Sequence, residues 1–195
     1  GLKLDQVTYT GGSNTSDINA FLAGLSSGAT VVFDTAIVFT ADETVLVDKG
    51  VHFVNNSGGN VTIDGGGTVQ LMTVDTGGQS VSFNGLTFQN GSSSNLGGVI
   101  LIENTQVNIY KSSFINNQSS GNGGAINIQS GGLKVYNTNF DGNRSADDGG
   151  AIGDPRWAPE LGVYYITTFV EGGGSVELNP PGGAYGEGVS VTLTA

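Results

Sequence analysis

Three aspartates in the second half of the chain have the residue type and spacing that could support chemistry. Asp147, Asp148 and Asp154 lie close together in sequence, with Arg144 and Arg156 beside them. Calcium takes carboxylate oxygens as ligands, and glycoside hydrolysis needs a carboxylate on either side of the scissile bond. The cluster therefore predicts either a weak calcium site or a solvated acidic loop, and it raises the question of an enzyme.

A repeat of constant period predicts where these aspartates lie. Three columns recur every 26 residues, namely Phe88, Phe114 and Phe140; Gly97, Gly123 and Gly149; and Ile100, Ile126 and Ile152. Each unit contains short alternating runs typical of strands, and no segment with helical periodicity. A unit this short cannot bury its apolar face alone, whereas stacked units can, so the sequence predicts a parallel β-helix.

The same period argues against a catalytic groove. One period earlier, Gly121 stands in place of Asp147, Asn122 in place of Asp148 and Ile128 in place of Asp154, so the acids form no column. The single histidine, His52, alternates with Val51 and Phe53 and is predicted to face outward. We therefore expect no catalytic residues. A polysaccharide lyase or hydrolase, or a glycan-binding protein, remains the alternative because this fold class hosts such proteins.

The loops that follow Asn117 and Asn143, which lie one period apart, are the predicted binding region. They vary between repeats while the apolar columns do not, and variable loops on a rigid scaffold are where binding usually occurs. The candidate ligand residues are Gln118, Ser119, Ser120, Asn122, Ser145, Asp147 and Asp148.

Composition excludes several classes of function. The 195 residues include 17 acidic and 6 basic side chains, for a formal net charge of -11, and no cysteine. This charge disfavours nucleic acid and anionic membrane surfaces. The absence of cysteine rules out a disulfide scaffold and a zinc-thiolate site. No apolar run approaches the roughly 18 residues of a membrane span, so membrane insertion is not expected.

The two ends of the chain differ from the repeats. Residues 16–26 have helical spacing behind Thr15 or Ser16 as a capping residue, and we expect this helix to cover the N-terminal end of a β-helix over residues 13–158. Residues 159–195 are predicted to form a small antiparallel β module, and Trp157 to cover the other end. Residues 1–12, with Leu2, Leu4, Val7 and Tyr9, form either the first strand of the β-helix or a strand for self-assembly.

The repeat also resembles a known family. Phe-x-x-Asn followed by Gly-Gly-Ala-Ile, at 114–126 and 140–152, resembles the repeats of the polymorphic outer membrane proteins of chlamydiae, within the pectate-lyase-like superfamily. A degenerate copy begins at Phe88. The resemblance implies a right-handed parallel β-helix on an exported bacterial surface protein. Residues 172–195 resemble the start of the internalin B-repeat, a bacterial surface module.

These observations together predict a non-enzymatic extracellular or cell-surface protein. Its expected role is that of an adhesin or a structural subunit, with self-association, other surface proteins or glycans as partners. No cofactor is expected beyond the weak calcium site. Filament formation through the terminal strands is a more specific version of the same hypothesis.

Overall fold

The chain folds mainly as a stack of β coils. The computed structural model describes residues 5–147 and 149–154, together with the backbone of four short strands at 163–165, 177–179, 184–186 and 192–194. Contacts divide the chain into two compact units, Gly1–Pro155 and Arg156–Ala195.

The first unit begins with β1 (Gln6–Thr8) and α1 (Thr15–Ala23), and five coils follow. The first two coils contain β2 (Ala29–Phe33), β3 (Ile37–Thr40), β4 (Val45–Val47), β5 (Val51–Asn55), β6 (Val61–Asp64) and β7 (Met72–Asp75). The third contains β8 (Ser80–Asn84), β9 (Leu86–Gln89), β10 (Ser92–Ser93) and β11 (Ile100–Glu103). The last two contain β12 (Thr105–Tyr110), β13 (Ser113–Ile115), β14 (Gln118–Ser119), β15 (Ile126–Ile128), β16 (Gly131–Tyr136), β17 (Asn139–Asp141), β18 (Arg144–Ser145) and β19 (Ile152–Gly153).

Equivalent strands of successive coils pair in parallel and build the walls of the solenoid. One sheet has six strands in the order β1-β2-β5-β8-β12-β16, and two have five, β17-β13-β9-β6-β3 and β19-β15-β11-β7-β4. A short sheet, β10-β14-β18, forms a fourth wall in the last three coils. The predicted all-β parallel solenoid is confirmed, because every described strand of the first unit pairs in parallel with the equivalent strand of a neighbouring turn.

The core of the solenoid consists of side chains from alternate positions of each strand. Along β12 the pattern is buried at Thr105, Val107 and Ile109, with the intervening residues facing outward. Phenylalanines stack along the axis, and the ring of Phe114 lies with its centroid 4.9 Å from those of both Phe88 and Phe140. The column predicted from the 26-residue period is therefore a ladder of stacked rings.

Coil length is constant only in the later part of the stack. Thr30 pairs with His52, an offset of 22, and His52 with Ser82, an offset of 30. From β8 onward the offset stays at 26, as between Val107 and Leu133. Residues 69–71, although apolar enough for the sequence to predict a strand over Val69–Met72, form a corner, and the strand that follows is Met72–Asp75. The corners of the early coils contain different numbers of residues, so the sequence shows no constant period there.

The N-terminal strand belongs to its own β-helix. Gln6–Thr8 pairs in parallel with β2, and Tyr9 packs its buried ring between those of Phe21, Phe33 and Phe39. Burial raises the pKa of the Tyr9 phenol to about 12, with a smaller contribution from the charge of Asp17. Leu2 and Leu4, the other residues of the predicted assembly strand, lie outside the described residues.

Helix α1 lies beside β4, which is the terminal strand of its sheet and has no strand partner on that side among the described residues. Asn19 reproduces the missing strand partner, since its amide donates to the Thr44 carbonyl at 3.0 Å and accepts from the Leu46 N–H at 2.9 Å. The expectation of a helix that protects the N-terminal edge therefore agrees with the contacts at β4. Among the described residues, no helix has the length and apolar character needed to cross a membrane.

The cap of this helix differs from the prediction. Asn14 is the N-cap, and Asp17 accepts a hydrogen bond from its backbone N–H at 3.0 Å. Thr15 is instead completely buried, and its hydroxyl donates to the Glu43 carbonyl at 2.6 Å. The sequence pattern of a cap does not distinguish neighbouring polar residues, because tertiary contacts with the β3–β4 connection decide between them.

The described strands of the second unit are four, and they form two antiparallel pairs. Val163–Tyr165 pairs with Ala184–Gly186, and Glu177–Asn179 with Thr192–Thr194. The pairing is antiparallel, as predicted, although the strand at Ala184–Gly186 was not foreseen. Trp157 lies outside the described residues.

Candidate functional site

The candidate site is the corner that β14 and β18 form with the loops that follow them, residues 116–122 and 142–147, here called the loop corner. Gln118 lies beside Ser92 on one side and Arg144 on the other, in parallel register. Gln118 and Arg144, the residues that follow the two motif asparagines, therefore lie side by side in successive coils and differ in type.

A buried amide ladder holds this corner in place. The Asn117 side chain is completely buried, accepts the Gly91 N–H at 2.7 Å and donates to the Phe88 carbonyl at 3.2 Å. It also donates to Asn143 Oδ1 at 2.9 Å, and Asn143 in turn donates to the Phe114 carbonyl at 2.9 Å. The motif asparagines thus bond to backbone groups of the preceding coil, the Gly91 N–H at its turn and the Phe88 and Phe114 carbonyls on β9 and β13.

The glycine pair after the loops brings successive coils into backbone contact. Gly123 has φ of +71°, and a Cβ there would overlap the carbonyl oxygen of Ile126. A Cβ on Gly124 would overlap the carbonyl of Gly150 in the next coil. Gly123 is therefore required by a tight turn within its own coil and Gly124 by the close approach of two coils, so the motif is architectural at both its asparagine and its glycine positions.

The structure separates the predicted ligand residues into outward and inward groups. Gln118, Ser120 and Asp147 are exposed, and Asn122 and Ser145 are half-buried. Ser119 is buried, and its hydroxyl donates to the Gly121 carbonyl at 2.7 Å. Ser119 therefore supports the loop from inside rather than presenting a group to a ligand.

The structure describes two of the three predicted calcium ligands. Asp147 is exposed and Asp154 half-buried, and Asp148 lies outside the described residues. Elsewhere in the part of the chain that the structure describes, no three His, Cys, Asp or Glu side chains come together as a metal site. Calcium at Asp147, Asp148 and Asp154 stays a prediction.

Two other carboxylates, Asp64 and Asp42, accept hydrogen bonds that stabilise the early coils. Burial would raise the pKa of Asp64, but hydrogen bonds from the Gln89 side chain, the Gly66 N–H and the Asn90 side chain lower it below its usual range. Hydrogen bonds to Asp42, first from the Ser16 hydroxyl and then from the Ser16 N–H, lower its pKa to about 2. Both are structural acceptors at corners of the early coils.

His52 is half-buried on the outer face and shares a hydrogen bond of 2.9 Å with Ser82.

The loop corner contains a surface pocket that was not predicted from the sequence. The pocket has a volume of about 230 Å³ and is lined by Asn116, Asn117, Gln118, Gly142 and Arg144. The two outward residues that differ between repeats, Gln118 and Arg144, both line it. Variation at this one column, beside an invariant asparagine, was the signal in the sequence that could have indicated the pocket.

The repeats that form this corner match one protein family. Residues 111–129 and 137–153 match the Chlamydia polymorphic membrane protein repeat. The chain thus contains two segments similar to this repeat, and they lie in the last two coils of the solenoid. No curated protein and no solved structure shows a significant match. The pectate-lyase-like and internalin-like resemblances remain expectations from the sequence alone.

Proposed function

We propose that the chain is a non-enzymatic module of a bacterial cell-surface protein that uses its loop corner to bind an extracellular partner. One observation carries the proposal: the surface-protein repeat builds the coils that present exposed, variable residues on a hydrogen-bonded frame. The frame fixes the backbone of the loops, so binding does not have to order them and their conformational entropy is not lost.

An enzymatic function lacks support at this corner. Glycoside hydrolysis requires two carboxylates that converge on one bond. The residues that line the pocket supply amides and one guanidinium, and Asp147 is its nearest predicted acid in sequence but does not line it. The surface-binding function is the one that fits these groups.

Adhesion of protein-coated beads to animal epithelial cells tests the proposal. We expect beads that carry residues 1–195 to bind, and we expect at least a tenfold loss when the exposed loop residues are replaced by alanine. These are Gln118, Ser120, Arg144 and Asp147.

A matched control replaces four outward polar side chains on the six-stranded sheet, Asn84, Gln106, Asn108 and Lys134. We expect this control to bind like the unchanged chain. Equal adhesion of the loop variant and the unchanged chain would show that the loop corner is not the contact surface.

The ends of the six-stranded sheet support a second candidate function, self-assembly. β1 and β16 are its terminal strands. The Asp5 carbonyl and the Tyr9 N–H both bond to β2, so the alternate residues Gln6 and Thr8 direct their backbone groups to the other edge. That edge can accept a strand from a second copy, which would extend the sheet from one protein to the next.

Light scattering on the full chain tests this assembly. Gln6→Pro removes an N–H on the outer edge of β1 and leaves the bonds from Asp5 and Tyr9 to β2 in place. We expect concentration-dependent oligomers that Gln6→Pro dissociates and Gln6→Ala retains. Oligomers that survive Gln6→Pro would contradict assembly through β1.

A further inference from the structure

The pocket at the loop corner presents one charged group and two exposed amides. Arg144, Gln118 and Asn116 are all exposed at its wall. The ion pair found among residues 5–147 and 149–154 joins Lys49 and Asp48, and Arg144 has no carboxylate partner there. Its guanidinium is exposed, and among the described residues it is open to a ligand.

The amides beside Arg144 have unused hydrogen-bonding capacity. Gln118 makes one long bond, from its Nε2 to Ser92 Oγ at 3.3 Å, which leaves its carbonyl oxygen open. The side-chain amide of Asn116 makes no hydrogen bond within the described part of the chain. Asn117, at the same pocket, has its amide saturated by the ladder, so it fixes the pocket without competing for a ligand.

Local charge makes this end of the solenoid suitable for a single anion. Residues 105–147 contain Lys111, Lys134 and Arg144 against Asp141 and Asp147. Residues 5–48, by contrast, contain six acids and no Lys or Arg. One guanidinium among neutral amides balances one negative charge, whereas a polyanion would meet the net charge of -11 of the whole chain.

The remaining chemistry indicates a sugar. Arg binds a carboxylate through two parallel hydrogen bonds. An amide offers both a donor and an acceptor, as a hydroxyl requires, and none of the described residues that line the pocket has an apolar side chain. A volume of about 230 Å³ is smaller than drug-sized pockets, which begin near roughly 300 Å³, so it suits a single sugar residue.

We propose that the pocket formed by Asn116, Gln118 and Arg144 binds a terminal carboxylated sugar, with the carboxylate on Arg144 and the hydroxyl or acetamido groups on the two amides. This inference rests on the surface-binding function proposed above and names the ligand chemistry of the same corner.

Binding of the full chain to immobilised sialyllactose tests the inference, with a glucuronide as the second source of the same chemistry. We expect saturable binding to at least one of these acids. The methyl ester of the same sugar, and lactose, should bind at least tenfold more weakly, because they lack the charge that Arg144 recognises.

Variants locate the site. We expect Arg144→Gln to weaken binding at least tenfold and Arg144→Lys to retain part of it, since lysine keeps the charge but not the two-pronged geometry. Lys134→Gln removes one exposed charge from the same coil outside the pocket and should leave binding unchanged. Equal losses for Arg144→Gln and Lys134→Gln would show nonspecific attraction and overturn the proposal.

The remaining outcomes separate this inference from the proposed function. Equal binding of the acid and its methyl ester, or no saturable binding of either acid, overturns the carboxylated sugar. Cell adhesion that persists in either case leaves the surface-binding function standing with another ligand. Sugar binding without cell adhesion would support the carboxylated-sugar site and contradict adhesion to these cells through the loop corner.

Discussion

Replacement of Asn117 by alanine provides a sharp test of how the repeat is stabilised. The substitution removes three side-chain hydrogen bonds, with the Gly91 N–H, the Phe88 carbonyl and Asn143 Oδ1. Two of these partners are backbone groups of the preceding coil, the Gly91 N–H at its turn and the Phe88 carbonyl on β9, and the asparagine itself is completely buried. The variant therefore removes bonds where water does not readily replace them.

The expected loss follows from these contacts. Each hydrogen bond contributes about 1 kcal/mol net, and a buried backbone group left without a partner costs roughly 1–3 kcal/mol. We expect Asn117→Ala to lower the free energy of unfolding by about 3–5 kcal/mol. Asn143 makes similar bonds but is half-buried, so water can replace some of them, and Asn143→Ala should cost about 1–2 kcal/mol.

Urea unfolding followed by far-ultraviolet circular dichroism measures both values. The control is Gln118→Ala, which removes an exposed amide from the adjacent position and should change the free energy by less than about 0.5 kcal/mol. A loss below about 1 kcal/mol for Asn117→Ala, or equal losses at Asn117 and Asn143, would refute the view that burial of the amide ladder stabilises the stack.

Three further predictions concern other parts of the frame. Gly123→Ala should destabilise by more than about 3 kcal/mol and Gly66→Ala by about 1 kcal/mol in urea unfolding, because both have positive φ but only Gly123 has a carbonyl where the Cβ would lie; equal losses would contradict the close approach. The folded pKa of Asp64 is below its ordinary value, so its stabilisation is complete above the ordinary pKa and is lost as pH falls through the folded value. Asp64→Asn should therefore flatten the acid limb of the urea midpoint against pH, and an unchanged limb would exclude this carboxylate as its cause. Asn19→Ala should speed hydrogen exchange at the Leu46 amide at least tenfold, since that N–H bonds to the Asn19 side chain; unchanged exchange would show that the helix does not protect β4.

The later coils could be predicted from the sequence in detail. A constant offset of 26 residues aligns Phe88, Phe114 and Phe140, and the structure pairs these residues in register. Insertions are absent there, so one period describes three coils. The stacking of Asn117 on Asn143 follows from the same offset.

The early coils and the site could be predicted only in part. Offsets of 22 and 30 around His52 result from corners of unequal length, and strand pairing across the coils sets the register there. The pocket at Asn116 and Arg144 depends on residues from two coils, so it exists only when the coils stack.

The sequence by itself thus determined the period, the parallel solenoid, the helix near the N-terminus and the loops where binding is proposed. These depend on local pattern and on a repeat that each coil obeys. Tertiary structure decided which polar residue caps the helix, that Ser119 faces inward, and that Arg144 meets the two amides in one pocket. The physical reason is that the burial of Thr15 depends on the Glu43 carbonyl and the pocket depends on residues of two coils, and packing and hydrogen bonds of the stack place those partners rather than neighbours along the chain.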